Sequence, residues 1–279
     1  MIPTDLRETV IRALAEDVGR GDLTAALVGE GIEATATVIS RESAVLCGCS
    51  WFNEVFRQLD PRIIVKWLAD EGDNIVPQQT LCRLQGSARA LLTGERSALN
   101  FLQTLSGTAT ISRRFAEAVA GTCTRVLDTR KTLPGLRNAQ KYAVRVGGCY
   151  NHRHGLDDGI LIKENHLFAM GSIAAAVTAA RTLIPPGMKV EVEVENLEQV
   201  VAAIEAGADL LLLDNFNLDN LRQAVSLCRG RVLTESSGNV TLATIRTVAE
   251  IGVDFISTGA MTKDVRAVDL SMRFAPREY

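Results

Sequence analysis

The sequence predicts a mixed α/β protein in which a small α+β domain precedes a domain of alternating strands and helices. The 279 residues are enough for one large and one smaller domain. In the first third of the chain, strand-like runs follow one another closely, whereas later apolar runs are mostly separated by helix-like segments. Such alternation indicates a parallel sheet with right-handed crossovers. Six of these runs occur, so either two strands of a full eight-stranded barrel are irregular or the barrel is incomplete.

The elements of the first domain follow from residue periodicity. Leu6, Val10, Ile11 and Leu14 form the apolar stripe of a helix that ends near the loop 18–24. The later elements of this domain are expected as strands at 33–40, 62–68 and 80–84, a helix at 51–59, and helical segments from 87 to 119 that break at L-S-G-T (105–108). This order is typical of a small α+β domain.

The apolar runs of the second domain end in polar residues. The runs are V-L-D (126–128), I-L-I-K (160–163), V-E-V-E-V-E (190–195), L-L-L-L-D (210–214), V-L-T-E-S (232–236) and F-I-S-T-G (255–259). The polar residues at or just after their ends are Asp128 to Lys131, Lys163, Glu193, Glu195, Asp214, Asn215, Glu235 to Gly238, Gly259 and Ala260. The carboxyl ends of barrel strands meet at one mouth, where such enzymes have their sites. We therefore expect these residues to share one site.

The stretch K-V-E-V-E-V-E-N (189–196) alternates without error. As a strand it places its valines on one face and Glu191, Glu193 and Glu195 on the other. A solvated edge of an antiparallel sheet would also explain this pattern. However, the next run, 210–214, is apolar up to its end, as in a strand buried on both faces. The pattern favours glutamates in the barrel lumen, where the cations of other strand ends offset the cost of burying them.

Positive charge is concentrated in one segment, although the whole chain carries −3. From Arg125 to Lys163, eight lysines and arginines accompany three acids, so this segment carries +5 and the remainder −8. His152, His154 and His166 lie in or just beyond it. The net charge argues against a general nucleic-acid binder. The local excess of cations suits a small anionic ligand.

Nothing in the sequence indicates a membrane span or a secretory signal, so a cytoplasmic location is expected. The six cysteines form no C-x-x-C pair, and Cys47-Gly48-Cys49 lacks a second half-site for zinc. We interpret the cysteines as reduced and mostly buried.

Two motifs in the cationic segment suit anion binding. In L-D-T-R-K-T (127–132), Arg130 offers a planar fork for a carboxylate and Lys131 a point charge for a phosphate, although a surface turn with a local salt bridge is the alternative. In N-H-R-H-G (151–155), two histidines around an arginine could ligate a metal, but a third ligand is missing nearby. A loop that binds a dianion fits this motif better.

The helix expected between these motifs carries Arg137, Lys141 and Arg145 at intervals of four residues, and Gly147-Gly148 is expected to end it. Residues at this spacing share one helix face. We interpret the stripe as a solvated face rather than as part of the site.

The later strand ends suit phosphate and ribose. The lysine of K-E-N-H (163–166) is either a Schiff-base amine or a phosphate-binding cation, and the residues alone do not separate the two. E-S-S-G-N (235–239) and S-T-G-A (257–260) are similar to the phosphate site that the loops after the last two barrel strands form. Glu193 and Asp214 on adjacent strands are candidates for ribose hydroxyls or Mg²⁺.

In order along the chain, these motifs resemble the quinolinate phosphoribosyltransferase (decarboxylating) family. The matching motifs are D-T-R-K-T-L-P-G-L-R, K-Y-A-V, G-G-C-Y-N-H-R, L-I-K-E-N-H, V-E-V-E-V-E, L-L-L-L-D-N, E-S-S-G-N-V and G-V-D-F-I-S-T-G-A-M-T, with G-D-L-T-A and L-L-T-G-E-R-S-A-L-N-F-L-Q-T-L-S-G in the first domain. The resemblance covers nearly the whole chain. It implies an N-terminal α+β sandwich domain at 1–110 and an incomplete β/α barrel at 111–267. The tail 268–279 is a candidate to pack back on the first domain.

The resemblance also implies the reaction and the assembly. Quinolinate and phosphoribosyl pyrophosphate would give nicotinate mononucleotide, pyrophosphate and CO₂ with Mg²⁺, in NAD synthesis. The enzyme would be a homodimer in which the first domain of one copy covers the barrel mouth of the other.

The site residues are likewise implied by the resemblance. The quinolinate carboxylates would be held by Arg130, His152, Arg153 and the partner subunit's Arg96. The catalytic set would be Lys131 and Lys163, near the pyrophosphate and the reacting ring, and Glu193 and Asp214, which serve ribose and Mg²⁺ directly or through water. Further substrate-binding residues would be Thr129, Ser236, Ser237, Gly238, Asn239, Gly259 and Ala260, most of them around the 5′-phosphate. His154 stands where an apolar residue is expected and has no role assigned.

Three alternatives to this function remain at the level of sequence. A relative on the same scaffold could use a different aromatic acid, although the Arg130, His152 and Arg153 set suits a dianion. A barrel lyase could form a Schiff base on Lys163. A binding protein without activity would not need both the ladder of acids and the cluster of cations.

Overall fold

The computed structural model describes residues 1–185 and 187–275 and shows the predicted mixed α/β protein. Its helices are α1 (Leu6–Val18), α2 (Cys49–Leu59), α3 (Ala88–Ala118), α4 (Arg137–Val146), α5 (Glu164–Met170), α6 (Ile173–Leu183), α7 (Leu197–Glu205), α8 (Leu218–Cys228), α9 (Ile245–Glu250) and α10 (Ala260–Lys263). Its strands are β1 (Glu33–Ser40), β2 (Ala44–Val45), β3 (Ile64–Trp67), β4 (Asn74–Ile75), β5 (Thr80–Ser87), β6 (Arg125–Leu127), β7 (Ile160–Ile162), β8 (Val190–Val194), β9 (Leu210–Asp214), β10 (Leu233–Ser237), β11 (Phe255–Ser257) and β12 (Leu270–Phe274). Within the described ranges, no helix combines the length and apolar composition that a membrane crossing requires.

The chain folds into two compact units. The first contains Met1–Arg113, Thr132–Gly148 and the described residues from Met261 onward, and the second contains Arg114–Lys131 and Cys149–Ala260. The predicted domain limits at 110 and 267 differ from this grouping, since α4 belongs to the first unit, and they stay a prediction. Residues 276–279 of the predicted tail lie outside the described part of the chain.

The first unit is built on a four-stranded antiparallel sheet in the order β12-β1-β5-β3. The strands predicted in this third of the chain are β1, β3 and β5, and α2 lies between the first two as expected. β1 buries alternate residues because successive side chains of a strand point to opposite faces. Trp51, Phe52 and Phe56 of α2 fill the core of this unit.

The break predicted at L-S-G-T is wrong, because α3 runs without interruption through it. Gly107 is small for a packing reason: a Cβ atom there would lie 2.2 Å from the carbonyl oxygen of Arg266. The hydroxyl of buried Ser106 donates to the carbonyl oxygen of Cys47 at 3.1 Å and accepts from its N–H at 2.9 Å. These small and polar residues permit close approach of other segments rather than ending the helix.

The interpretation of the α4 cations as a solvated stripe is wrong for Lys141, which is fully buried, whereas Arg137 is half-buried and Arg145 exposed. Lys141 lies among buried neighbours on the same helix, including Ala139 and Val144. Spacing places side chains on one helix face but does not say whether other elements cover that face.

The second unit is a six-stranded parallel sheet in the order β6-β11-β10-β9-β8-β7. Its strands are the six that the apolar runs predict. β6 and β7 are the edge strands, so the sheet is an incomplete β/α barrel rather than a closed one of eight strands, which confirms the predicted fold class.

β8 turns its acids inward and its valines outward. The three valines are fully buried, and Glu191 is 5% exposed. Glu193 stands in register with Leu212 of β9, which stands in register with Glu235 of β10, so the three side chains share one face of the sheet. The lumen placement of the glutamates is therefore confirmed for two of them. Glu195 lies beyond the strand and is exposed.

Candidate active site

The carboxyl ends of the six parallel strands carry the residues predicted for a site. β6 leads into Thr129, Arg130 and Lys131, β7 into Lys163, β10 into Gly238 and Asn239, and β11 into Gly259 and Ala260, while β8 contains Glu193, β9 ends at Asp214 and β10 ends at Ser236 and Ser237. All of these residues belong to the second unit. Because parallel strands share one carboxyl end, the fold brings them to the same side of the sheet.

Arg130 and Arg153 are two half-buried cations that influence each other. Burial lowers the pKa of Arg153 from its ordinary value, and the charge of Arg130 lowers it further, whereas the charge of Glu191 opposes the shift. Nη1 of Arg153 donates to the carbonyl oxygen of Gly159 at 2.8 Å. Two guanidinium groups that repel each other in a partly dry site are suited to a ligand with two negative groups.

Asp128 fixes the loop that carries Arg153. Its carboxylate is fully buried, accepting from Nδ2 of Asn151 at 2.6 Å and from the N–H of His152 at 2.9 Å. The alternative of a surface turn for L-D-T-R-K-T is therefore wrong at Asp128. A buried carboxylate that accepts such hydrogen bonds holds the N-H-R loop against the end of β6.

The imidazole of His152 lies against two buried carboxylates. Its Nε2 is 3.2 Å from Oε2 of Glu191 and 3.6 Å from Oε2 of Glu235. Burial, and next the charge of Glu191, raise the pKa of Glu235 to about 7, although His152 and Lys163 oppose the shift. One nitrogen and two carboxylate oxygens within 4.8 Å of one another make this a cluster of metal-ligand type.

Lys163 and Glu193 form an ion pair between the ends of β7 and β8. The backbone N–H of Lys163 donates to Nδ1 of His166 at 2.9 Å, and the N–H of His166 donates back to the carbonyl oxygen of Lys163 at 2.8 Å. This reciprocal pair begins α5 and fixes the backbone from which Lys163 extends. A lumen acid and a strand-end cation meet here as the sequence predicted.

Three residues in the loops after β9 and β10 have a left-handed backbone conformation. Asn215 has φ 56°, Gly238 φ 96° and Asn239 φ 48°. The N–H of Asn215 donates to the carbonyl oxygen of Ser237 at 3.0 Å, and a Cβ atom at Gly238 would lie 2.2 Å from Oδ1 of Asn215. Such strained conformations persist where structure over-determines them, often at ligand sites. Small residues and turned N–H groups suit a phosphate.

The end of β11 meets the end of β6. The N–H of Thr258 donates to the carbonyl oxygen of Leu127 at 3.0 Å. A Cβ atom at Gly259 would lie 3.1 Å from Cδ of Lys131 and 3.4 Å from Oγ1 of Thr129. Glycine at this position therefore leaves room for the Lys131 side chain.

Arg96 and His154 are two further residues of the predicted motifs. Arg96 is an exposed residue of α3 in the first unit. His154 is exposed, and its N–H donates to Oδ2 of Asp158 at 2.7 Å.

Sequence reasoning missed the contacts of Glu191, Glu235 and Asn215. The strict alternation of 189–196 placed Glu191 in the lumen, but it did not identify His152 as the partner. Because His152 comes from a loop between β6 and β7, its distance from Glu191 and Glu235 depends on tertiary structure alone.

Residues 22–106 match the N-terminal domain, and residues 108–273 the C-terminal domain, of quinolinate phosphoribosyl transferase. The chain belongs to this family. Members transfer a phosphoribosyl group to quinolinate with decarboxylation in NAD biosynthesis. The resemblance found in the motifs is confirmed.

Individual quinolinate phosphoribosyltransferases support the assignment. The chain is 42% identical over 263 residues to a probable nicotinate-nucleotide pyrophosphorylase (carboxylating) of Synechocystis sp., covering 93% of this chain and 89% of that relative. It is 39% identical over 267 residues to the Bacillus subtilis protein of the same name, covering 96% and 92%. The nicotinate-nucleotide pyrophosphorylase structure from Francisella tularensis aligns with a TM-score of 0.94 and 46% identity over 99% of this chain and 98% of that one.

Membership of the quinolinate phosphoribosyltransferase family decides between the enzyme classes left open by sequence. The family is a pentosyltransferase family, so the Schiff-base lyase and the inactive binding protein are not supported. The ion pair of Lys163 with Glu193 agrees with a lysine that serves as a cation at the barrel mouth.

Proposed function

We propose that this protein transfers the phosphoribosyl group of phosphoribosyl pyrophosphate to quinolinate and decarboxylates it, giving nicotinate mononucleotide, pyrophosphate and CO₂ in NAD biosynthesis. Family membership supports the proposal. The observation that carries it is that the ends of the parallel strands bring the cations Arg130 and Lys163 to the same side of the sheet as the acids Glu193 and Asp214, with Lys163 and Glu193 in an ion pair. Cations suit the two anionic substrates, and acids suit the cationic ribose that forms between them.

Quinolinate would bind through its two carboxylates. Arg130 and Arg153 offer planar donor pairs, and attraction to a dianion would offset the repulsion between their charges. His152 belongs to the same part of the site, and the partner subunit's Arg96 would complete it. This arrangement favours quinolinate over an aromatic acid with one carboxylate.

The sugar phosphate would occupy the remaining strand ends. Lys131 and Lys163 face the pyrophosphate and the reacting ring, with Thr129 beside Lys131. The 5′-phosphate would be bound by the end of β10 and the loops after β10 and β11, at Ser236, Ser237, Gly238, Asn239, Gly259 and Ala260. The left-handed backbone at Gly238 and Asn239 supports this placement because it turns N–H groups toward an anion.

Glu193 and Asp214 fit Mg²⁺. They come from adjacent strands, and the side chain of Glu193 is 14% exposed, so its carboxylate faces the mouth. Mg²⁺ takes one or two protein carboxylates with substrate phosphates and waters, which agrees with this small donor set. When bound, it would neutralise charge on the pyrophosphate.

The chemistry begins at C1 of the ribose. As the C1–O bond breaks, its electron pair leaves with pyrophosphate and positive charge develops on the ribose ring. Glu193 is placed to stabilise that charge, and Lys131 and Lys163 are placed to neutralise the leaving group. The quinolinate nitrogen then forms the bond to C1 and becomes cationic.

Decarboxylation follows on the same ring. The C2 carboxylate leaves as CO₂, its electron pair remains on the ring carbon beside the cationic nitrogen, and a proton takes its place. An ammonium group near that carbon would stabilise the pair, and Lys131 and Lys163 are the two candidates by position.

Carboxyl-labelled quinolinate tests the whole proposal. With label in the C2 carboxylate, the protein is expected to release labelled CO₂ only when both phosphoribosyl pyrophosphate and Mg²⁺ are present. Scintillation counting of trapped CO₂ measures this release. Label in the C3 carboxylate is the matched control and should remain in the nucleotide. Release without the sugar phosphate, or none with all components, would refute the proposed reaction.

The proposed assembly is a cytoplasmic homodimer in which each site takes Arg96 from the other copy. An Arg96→Ala chain and an Arg153→Ala chain should each be nearly inactive alone. In a mixture that exchanges subunits at random, half of the dimers contain both chains, and each of these has one intact site. Activity is expected to recover to about one quarter of wild type.

Verified heterodimers make this test decisive. Two differently tagged chains, purified in tandem, separate the mixed dimers from the parents, and steady-state assays then give the activity per dimer. As control, a mixture of Arg153→Ala and Arg130→Ala chains should stay inactive, since both residues are assigned to the same copy. Heterodimers as inactive as the parents would remove the shared site.

A further inference from the structure

Both ring nitrogens of His152 are engaged within the second unit. The backbone N–H of Arg153 donates to Nδ1 at 2.8 Å, and Nε2 lies 3.2 Å from Oε2 of Glu191. Glu235 lies behind this contact at 3.6 Å from Nε2, beyond normal hydrogen-bond distance. The imidazole of His152 therefore lies between Glu191 of β8 and the backbone of Arg153, a predicted substrate-binding residue.

The hydrogen bond to Nδ1 determines where the imidazole proton resides. A backbone N–H is always a donor, so Nδ1 of His152 accepts and Nε2 carries the proton. A histidine that binds a metal through Nε2 normally donates from Nδ1, which is the opposite arrangement. Although three ligand-type atoms are close together here, the cluster therefore favours a proton on Nε2 that Glu191 accepts over a metal ion.

Hydrogen bonds hold Arg153 at its backbone and at its guanidinium group. Its backbone N–H is held by His152, and its Nη1 is held by the carbonyl oxygen of Gly159. The peptide N–H of His152 is itself held by Asp128. If the ring of His152 turned away, the backbone of Arg153 would lose its partner and the guanidinium its fixed starting point.

We propose that Glu191 is a positioning residue for quinolinate binding: it accepts the Nε2 proton of His152, and His152 in turn fixes Arg153. The inference rests on the proposed function. It gives His152 a role in holding the arginine in addition to its proposed place in the quinolinate site. It also gives the innermost acid of β8 a function that differs from that of Glu193 two residues later.

Two substitutions at Glu191 separate its charge from its hydrogen bond. Glu191→Gln removes the charge but keeps an acceptor for Nε2–H, and its NH₂ group can donate to the neighbouring Glu235 carboxylate. Glu191→Met removes both with nearly the same unbranched length, and an apolar side chain of similar size is tolerated where a charge was buried. Glu195→Gln and Glu195→Met, at the exposed position after β8, are matched controls.

Steady-state kinetics with both substrates give the readout. For Glu191→Met, the quinolinate KM is expected to rise about tenfold to a hundredfold, the factor for loss of one hydrogen bond to a charged group, while the KM for phosphoribosyl pyrophosphate stays near wild type. For Glu191→Gln and for the Glu195 variants, the KM values of both substrates should stay near wild type. In an Arg153→Lys background, Glu191→Met should add little, because the two act on one contact.

The outcomes distinguish this inference from the proposed function. Wild-type protein without activity would refute the function, whereas normal quinolinate KM in Glu191→Met would refute the role of Glu191 alone. Equal rises in the KM of both substrates would indicate general disruption of the site and would also contradict the role of Glu191. Nitrogen NMR of wild-type protein, which has three histidines, provides a test independent of variant folding. Protonated Nε2 and unprotonated Nδ1 at His152 are expected, and the reverse would overturn the proposal.

Discussion

The Arg130→Ala protein is expected to lose quinolinate binding while keeping most of its affinity for phosphoribosyl pyrophosphate. Arg130 is half-buried and close enough to Arg153 to lower the pKa of that arginine. Truncating one partner of a buried, hydrogen-bonded charge pair costs about 2–5 kcal/mol. The quinolinate kcat/KM should therefore fall roughly thirtyfold to a few thousandfold. Initial rates measured with each substrate varied in turn give the two effects separately.

Two further variants show whether the guanidinium itself is responsible. Arg130→Lys keeps the positive charge without the planar fork, so its loss should be intermediate. Arg125→Ala is the matched control on the same strand, because Arg125 lies at the other end of β6, where its guanidinium stacks on Tyr150 with 5.2 Å to the ring centroid. It should behave as wild type. Equal losses for both substrates in Arg130→Ala would contradict a carboxylate clamp.

The parts of the fold that the sequence predicted are those with a strong local signal. Six apolar runs with polar ends became the six strands of the parallel sheet, and strict alternation in 189–196 placed Glu191 and Glu193 in the lumen. Strand direction then determined where the polar residues after each run lie, because parallel strands have their carboxyl ends at one edge of the sheet. The strand-end residues could therefore be predicted from the sequence alone.

The features that the sequence did not predict depend on which segments pack against one another. Gly107 looked like a helix break, but it allows the backbone of Arg266 to approach α3. Lys141 shares a helix face with two other cations and was interpreted as solvated, yet it is fully buried. The contact between Nε2 of His152 and Oε2 of Glu191 joins residues 39 positions apart, and no local sequence pattern predicts it. Each depends on which segments meet, which a single sequence does not state.

The second large effect is expected at Glu193, where Glu193→Gln should lower kcat by about a hundredfold to a thousandfold, the range seen when one group that stabilises transition-state charge is removed. Glu193 pairs with Lys163 at the ends of β8 and β7, so its carboxylate lies where the reacting ribose is proposed to bind. An amide of the same shape keeps hydrogen bonding but not the negative charge. Steady-state and single-turnover assays with saturating substrates measure the change.

The distribution of the effect between kcat and KM decides how Glu193 acts. Positive charge develops on the ribose only as the C1–O bond breaks, so an acid that stabilises it should affect kcat far more than the KM of either substrate. If Glu193 instead served mainly to orient Lys163 for ground-state binding, the KM for phosphoribosyl pyrophosphate would rise and kcat would change little. Glu195→Gln removes the same charge from the exposed position after the strand and should leave both parameters unchanged. A kcat as low in Glu195→Gln as in Glu193→Gln would assign the effect to net charge rather than to the position of Glu193 in the lumen.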